Sequence, residues 1–315
     1  MYKGKSVCVV IPAYNEEVQI VKVLTTLPPL VDHAVAVDDA SSDDTPGVIQ
    51  RLAEADPRIV LLRHAENQGV GGAIATGYLW ARDHDLDIAV VMAGDGQMDP
   101  VDLPAILDPV ADGQVDYAKA NRLFSGEAYR KIPKVRFFGN AILSMLTKIA
   151  SGYWHIADSQ AGYAAIGKRA LKLIDWTRMY KRYGQPNDIL TRLNVYDCKV
   201  RDVIVEPVYG VGEHSKMKVP KVIFSISWLL LRLFFWRMKE KYLLRDFHPL
   251  VFFYLFGGLS MLGSLLFFIR ILYLWPIEGK IPETSFLSFI FLTAMGFQSL
   301  TFAMWLDMER NKDLK

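Results

Sequence analysis

The chain has 315 residues, 51% of them hydrophobic and 22% charged, with a formal net charge of +2. A positive mean hydropathy at that charge content strains the idea of a wholly soluble protein, while +2 says little about partners and no nucleic acid is expected. Cys8 and Cys198 are isolated and lack metal spacing, so neither a disulfide nor a zinc site is expected.

Residues 1–6 lead directly into a strand-like run, with no secretory signal. Short apolar runs rich in β-branched residues fall at 7–11, 34–37, 59–62 and 88–92, with helical stretches between them. That is βαβ order, hence a largely parallel sheet. Polar loops follow the strands, where an open α/β sheet binds ligands. Pro12-Ala13-Tyr14-Asn15-Glu16-Glu17 follows the first, and Asp38-Asp39-Ala40-Ser41-Ser42-Asp43-Asp44-Thr45 the second. Gln68-Gly69-Val70-Gly71-Gly72 opens a helix whose free N–H groups face an anion, or is simply a flexible helix entry. It follows the third strand and lacks a third glycine in register, which argues against a dinucleotide oxidoreductase. The fourth strand stops at Gly94, with Asp95 at its tip. Asp95 and Gln97 supply hard oxygen ligands two residues apart, suited to a Mg²⁺ or Mn²⁺ that also takes phosphate oxygens; a plain acidic turn is the alternative.

Further along, residues 133–150 place Val135, Phe138, Ile142, Met145, Leu146 and Ile149 along one broad helical side, and residues 219–238 set aromatic and aliphatic residues beside Arg232 and Arg237. Both read as amphipathic helices at a membrane surface, with ordinary core helices as the alternative. Residues 249–269 and 286–306 are each 21 residues without a charge, about the length that crosses a bilayer core of ~30 Å. Two transmembrane helices, at about 249–272 and 286–306, are expected, joined by a linker holding Pro276, Gly279 and Pro282. Ser260 with Ser264, and Ser299 with Ala303, offer small faces for packing between them. Arg270 can snorkel from near the end of the first span, and Gln298 should find a partner in the bundle. Arg237, Lys239, Lys241 and Arg245 precede the hairpin, Arg310, Lys312 and Lys315 follow it, and only Lys280 lies in the linker between its two spans. Both termini are therefore expected in the cytoplasm, on a multi-pass protein of the cell membrane. The expected division is a catalytic domain at 1–218, an interface helix and basic linker at 219–246, and a hairpin with a short tail at 247–315; the hairpin also offers a route to a homo-oligomer.

Taken together, the motifs resemble glycosyltransferase family 2, and within it the polyprenyl-phosphate sugar synthases that include dolichol-phosphate mannose synthase. The resemblance spans residues 6 to about 220 and implies an α/β fold of the GT-A (Rossmann-like) type, with a mostly parallel sheet. It implies that Pro12, Ala13, Tyr14, Glu16, Asp38 and Asp39, with Gly69 and Gly94, hold a nucleotide sugar, and that Asp95 and Gln97 hold the metal on its diphosphate. The family's metal loop reads Asp-x-Asp, whereas Ala93 stands at the first position here. Further matches are Asn121-Arg122, Arg136 with Gly139-Asn140, Asp158-Ser159-Gln160-Ala161-Gly162-Tyr163, Asn187-Asp188 and Gly212-Glu213-His214-Ser215-Lys216. By resemblance Arg122, Arg136 and Lys216, with His214, face acceptor or diphosphate; solvated surface cations are the lesser alternative for Arg122 and Arg136. Asp188 corresponds to a catalytic carboxylate that orients sugar hydroxyls or acts as base, or it is a helix cap after Pro186-Asn187.

The expected reaction is metal-dependent, inverting transfer of a hexose from a nucleotide sugar to a polyprenyl (dolichyl or undecaprenyl) phosphate at the cytoplasmic membrane face. UDP-glucose or UDP-N-acetylglucosamine is the preferred donor and GDP-mannose the alternative. A phosphate monoester is mostly dianionic at neutral pH, so the acceptor needs cations more than a base. A processive polysaccharide synthase is disfavoured, because no Gln-x-x-Arg-Trp block is present and two helices are too few to enclose a channel. An inactive nucleotide-sugar-binding membrane scaffold is the alternative from another class, with Ala93 as its best argument.

Overall fold

The apolar runs form β1 (Val7–Ala13), β2 (His33–Asp38), β3 (Ile59–Arg63) and β4 (Ile88–Val91), which alternate with α1 (Gln19–Thr25), α2 (Thr45–Ala55) and α3 (Val70–Asp83). The computed structural model describes residues 1–96, 98–122, 134–205 and 219–315, and the side chains of these except 134–141 and 219–224. Its sheet continues through β5 (Tyr117–Asn121), β6 (Ala164–Gly167) and β7 (Val200–Ile204), in the order β3-β2-β1-β4-β6-β5-β7. Only β6 runs against its neighbours, so β4, β5 and β7 share one direction with β1 to β3. The loops after these strands therefore emerge at a common edge.

All of β1 is buried, as expected of a central strand covered on both faces. Its side chains alternate between two cores. Cys8 and Val10 pack with Ala73, Ile74 and Tyr78 of α3, and with Ile189 and Leu193 of α7 (Gln185–Val195), after α5 (Lys134–Ser151) and α6 (Lys168–Leu173). Val7, Val9 and Ile11 pack with Ile20 of α1, Ile49 of α2 and Leu103, Ile106 and Leu107 of α4 (Leu103–Ala111). Gly77 brings α3 close to β1, since a Cβ there would lie 2.2 Å from Val10 Cγ1. Cys8 and Cys198 are separate buried thiols.

α5 is built inside out. Its buried side carries Ser144, Thr147 and Ser151, while Ile142, Met145 and Leu146 are exposed. A core helix would do the reverse. Leu143 and Ala150 pack with Ile226 and Leu230 of α8 (Val219–Lys239), whose Trp228, Leu231 and Phe235 are likewise exposed. Both helices thus hold apolar side chains out of the domain, as the interface reading expects.

The chain divides into one unit of residues 1–235 with 314–315 and another of residues 236–313, the division falling inside α8. In the second unit α9 (Leu250–Glu278) and α10 (Glu283–Arg310) form a hairpin. The small residues meet as expected: Ser260, Ser264, Ser299 and Ala303 are buried, and the Ser264 and Thr293 hydroxyls lie 2.6 Å apart. Two expectations need correction. Pro276 is not in the linker, because α9 continues through it to Glu278 and ends at Gly279, whose φ of 68° is the left-handed conformation glycine adopts most easily. In a last turn a proline breaks one hydrogen bond with little helix left to disrupt. Gln298 does not partner α9; it is exposed. Arg237 and Lys241, from the basic stretch before the hairpin, are buried in a polar cluster with Tyr242, Asp307 and Asn311.

Candidate functional site

The loops after β1, β2 and β4 are fastened side by side. Ala13 is in register with Asp38, Asp39 N–H donates to the Ala13 carbonyl at 2.9 Å, and Gly94 N–H donates to the Pro12 carbonyl at 3.2 Å. Asn15 takes a left-handed φ of 57°, which asparagine tolerates, and its Oδ1 accepts from Ser42 N at 2.8 Å. Ser41 Oγ accepts from Asn15 N and Thr45 Oγ1 from Glu16 N, so the two loops form one platform. Tyr14 stands 46% exposed above it. Asp95 is half-buried at the adjoining tip of β4. The fold thus gathers Pro12, Ala13, Tyr14, Glu16, Asp38, Asp39, Gly69, Gly94 and Asp95 at one end of the sheet.

Adjacent in sequence, Asp38 and Asp39 do different work. Asp39 is buried, with Oδ1 accepting from Gln68 N at 2.8 Å and Oδ2 from Gly69 N at 2.7 Å. His64 Nδ1 lies 2.7 Å from the same Oδ1. The carboxylate therefore satisfies N–H groups at the start of α3 from across the loop edge, as a helix N-terminus favours. Gly71 and Gly72 N–H both point to the Lys181 carbonyl, at 2.9 and 3.4 Å. The N–H groups of Gln68, Gly69, Gly71 and Gly72 at this helix entry are hence occupied within the chain rather than free as expected. Gly69 itself is required by its φ of 88° and by Lys181 O, which a Cβ would approach to 2.5 Å. Asp38 differs. Its Oδ1 accepts from Ser41 N at 3.2 Å, but Oδ2 is buried without a hydrogen bond. Arg63 Nε is 3.4 Å from Oδ2, close enough for ionic attraction yet not aligned to donate. A buried acceptor lacking a donor is costly, so of the two aspartates Asp38 is the one whose hydrogen-bonding capacity is not filled among the described residues.

Arg122 follows β5, two strands from β4 and on the same edge, about 10 Å away at ordinary strand spacing. Its Nε is 2.9 Å from the fully buried Asp158 Oδ2, which also accepts from Arg122 N. Buried Lys119 donates to the Asp158 carbonyl. Burial raises the Asp158 pKa, but the charges of Arg122 and Lys119 and the Arg122 hydrogen bonds outweigh it and hold the carboxyl below its ordinary value. Burial likewise lowers the Lys119 pKa and raises that of Asp202, whose Oδ2 accepts from Asn121 Nδ2 and Ala157 N. Ser159, next to Asp158, lies 3.2 Å from Ser144 of α5, and Gln160 Nε2 donates to Asn187 Oδ1 at 3.0 Å. The sequence blocks around 121, 158 and 187 are thus one hydrogen-bonded assembly.

Asp188 is buried in the first turn of α7, where its Oδ2 accepts from Tyr180 N at 2.7 Å and Arg192 Nε at 2.9 Å. It is not the cap itself, which is Gly184. Gln97, His214 and Lys216, and the side chain of Arg136, lie outside the described residues. The sequence reading missed His64, Lys119 and Asp202. A histidine directly after the third strand was a visible signal for the first, whereas nothing local marked the others.

Among the described residues no three His, Cys, Asp or Glu side chains converge to hold a metal. Asp95, half-buried at the tip of β4, is one of the carboxylates described at this edge. That suits a Mg²⁺ or Mn²⁺ bound by one or two carboxylates, waters and substrate phosphates, and does not suit a metal caged by protein alone.

Comparison with known proteins agrees with this architecture. Over 238 residues the chain is 30% identical to a UDP-N-acetylglucosamine–dolichyl-phosphate N-acetylglucosaminyltransferase of Methanococcus voltae, covering 70% of this chain and 94% of that protein. It is 31% identical to the polyprenol monophosphomannose synthase of Mycolicibacterium smegmatis, over 70% of this chain and 84% of that one. Among solved structures, glucosyl-3-phosphoglycerate synthase of Mycobacterium tuberculosis, crystallised with Mn²⁺, UDP and phosphoglyceric acid, superposes with a TM-score of 0.53 at 20% identity. That match covers 74% of this chain and 78% of that one, and it shows the GT-A fold. The family model described as Glycosyl transferase family 2 matches residues 8–174, which is more than half of the chain. By its fold, its relatives and the loops gathered at its sheet edge, the chain is a glycosyltransferase and belongs to glycosyl transferase family 2.

Proposed function

We propose that this chain transfers a hexose from a nucleotide sugar to a polyprenyl phosphate, dolichyl or undecaprenyl, at a membrane surface, with inversion at the anomeric carbon. The observation that carries the reading is a continuity within one domain. Arg122 is held by Asp158, Ser159 beside it contacts Ser144, and Ser144 lies on the buried side of a helix whose opposite side exposes Ile142, Met145 and Leu146. A fixed guanidinium joined to an outward apolar face suits a substrate with a phosphate head and an isoprenoid tail. The nucleotide sugar is assigned to the opposite part of the edge, at Pro12 to Glu16, Asp38, Gly94 and Asp95, with Asp38 Oδ2 reading a base N–H or a ribose hydroxyl.

Asp95 with Gln97 would hold Mg²⁺ or Mn²⁺, which when bound neutralises the diphosphate leaving group. Arg136, Lys216 and His214 complete the phosphate contacts in this reading. A dianionic acceptor needs no protein base. Asp188, its Oδ2 already engaged by Tyr180 and Arg192, then orients the loop before α7. UDP-N-acetylglucosamine or UDP-glucose is the preferred donor, favoured by the likeness to the Methanococcus voltae transferase, and GDP-mannose the alternative.

Membrane residence is supported by α9 and α10, which are apolar, long enough to span, and mostly exposed rather than buried. Leu314, beyond α10, is buried in the core of the catalytic domain, and its carbonyl accepts from Val200 N at 3.0 Å. The chain therefore leaves that domain and returns to it, which favours two spans with both ends on one side, the cytoplasmic side in our reading. The test is a panel of radiolabelled nucleotide sugars against one polyprenyl phosphate, scoring label extracted with lipid. Product with one donor supports the reading. A chain that binds nucleotide sugar and yields no lipid product with any donor is the scaffold instead.

A further inference from the structure

We infer that the outer face of α10, centred on Gln298, is an interface with a second copy of this chain inside the membrane. The argument begins with depth. α10 runs from Glu283 to Arg310, so at 1.5 Å per residue Gln298 stands about 22 Å from one end and about 18 Å from the other. For a bilayer core of ~30 Å that is the middle.

Direction comes next. The residues of α10 that face α9 are Ser285, Gly296, Ser299 and Ala303, all buried. At 100° per residue Gln298 falls on the opposite side of the helix, in a line with Leu287, Phe291, Ala294, Thr301 and Trp305. Leu287, Phe291 and Trp305 are 67%, 64% and 51% exposed, and Ala294, Gln298 and Thr301 are exposed as well. The Thr301 hydroxyl is satisfied by the Phe297 carbonyl of its own helix. Gln298 cannot do this, and its amide makes no hydrogen bond among the described residues.

A primary amide in the hydrocarbon centre with no partner is costly, and polar groups at that depth face protein rather than lipid. An isoprenoid or acyl chain offers neither donor nor acceptor. The amide is, however, complementary to itself: one carbonyl and one NH₂ group pair with the same two groups on a copy related by a two-fold axis, which is how a symmetric dimer interface is built. Its neighbours permit this. Ala294 and Thr301 sit one turn before and one turn after Gln298 on the same face, and small residues there let two helix backbones approach. The membrane-spanning reading of α9 and α10 is assumed; the identity of donor and acceptor is not.

The full chain in liposomes provides the test. Ala294→Cys, one turn from Gln298 on the same face and leaving its amide in place, should form a disulfide-linked dimer under mild oxidation, because Cys8 and Cys198 are buried and give no background, whereas Leu266→Cys on the exposed side of α9 should not. Photobleaching steps of labelled chain should count two copies, and Gln298→Leu should weaken self-association roughly tenfold while Gln298→Asn keeps most of it. Removing a lipid-facing amide does not threaten folding, and sugar transfer measured in parallel reports on the catalytic domain separately. A chain that stays single at every density, a dimer indifferent to Gln298→Leu, or cross-linking only to a different protein would each overturn the inference. A dimer that obeys these expectations but transfers no sugar overturns the proposed reaction and leaves the interface standing.

Discussion

His64 Nδ1 lies 2.7 Å from Asp39 Oδ1, a buried pair 25 residues apart in the chain. The other ring nitrogen, Nε2, is 2.9 Å from Thr76 Oγ1 on α3. Because a carboxylate accepts only, Nδ1 carries the proton, and Asp39 is left with its two oxygens shared among His64, Gln68 N and Gly69 N. This arrangement sets the loop between β3 and α3, beside the sheet end where the loops after β1, β2 and β4 gather.

Replacing His64 by Ala removes a buried donor to a charged acceptor and should cost about 1–3 kcal/mol. Thermal denaturation should show the loss, and the KM for the nucleotide sugar should rise more than kcat falls, since the loop and not the reacting centre is disturbed. His64→Gln should recover part of both. An unshifted midpoint with unchanged KM would show that the pair positions nothing.

For Asp95→Asn, transfer should fall on the order of 10²-fold or more, because the substitution removes the negative charge from the proposed Asp95–Gln97 ligand pair and donor positioning is lost. The denaturation midpoint should stay within experimental scatter of the parent. Chelation of the parent enzyme should silence it in the same way, and Mg²⁺ or Mn²⁺ should restore it. Retained transfer in the mutant would falsify the assignment of the metal to Asp95.

Asp158 gives a pH dependence with a definite sign. Its carboxyl is held below the ordinary value near ~3.9, so the stability it contributes is fully present above that pH and is lost as pH falls through the folded-state value. The midpoint of the parent should therefore decline below about pH 4. Asp158→Asn should be less stable at neutral pH yet show a shallower acid decline, and its use of lipid phosphate should weaken because Arg122 loses its anchor. Superimposable acid profiles would refute the linkage.

In the hairpin unit, Arg237 and Asp307 are both wholly buried and joined by two hydrogen bonds of 2.8 and 2.9 Å, with Tyr242 donating to the same carboxylate at 2.6 Å. Removing one partner leaves a buried charge, so Asp307→Leu or Arg237→Met alone should cost about 3–5 kcal/mol, while the double substitution should regain most of it. Denaturation of the full chain in detergent measures both. Additive losses in the double mutant would mean that the charges act independently.

Much of the fold was legible because it rests on local patterns. Continuous β-branched runs with helical stretches between them specify parallel strands in βαβ order, and the strand ends then have to carry the binding loops, which is where Asp38, Asp39 and Asp95 are found. Two long uncharged segments could hardly be anything but apolar helices, and the spacing of Ser260, Ser264, Ser299 and Ala303 foretold the face on which they meet. The inside-out character of α5 was also present as a pattern, although burial was needed to distinguish an outward side from a core side.

What the sequence by itself determined, then, was the order of elements, the edge that bears the site and the residue types available there. Only the tertiary structure decided which of those residues remain available. Asp38 and Asp39 are indistinguishable as text, yet Gln68, Gly69 and His64 saturate one and leave an oxygen on the other. The glycine entry to α3 reads as an anion cradle until the Lys181 carbonyl fills it, and Gln298 reads as interior glue until the helix turns it outward. In each case the deciding contact joins residues far apart in the chain or depends on the rotation of a helix about its axis. Hydrophobic periodicity carries neither kind of information, because it records which side of an element is apolar and not which distant donor or acceptor meets it.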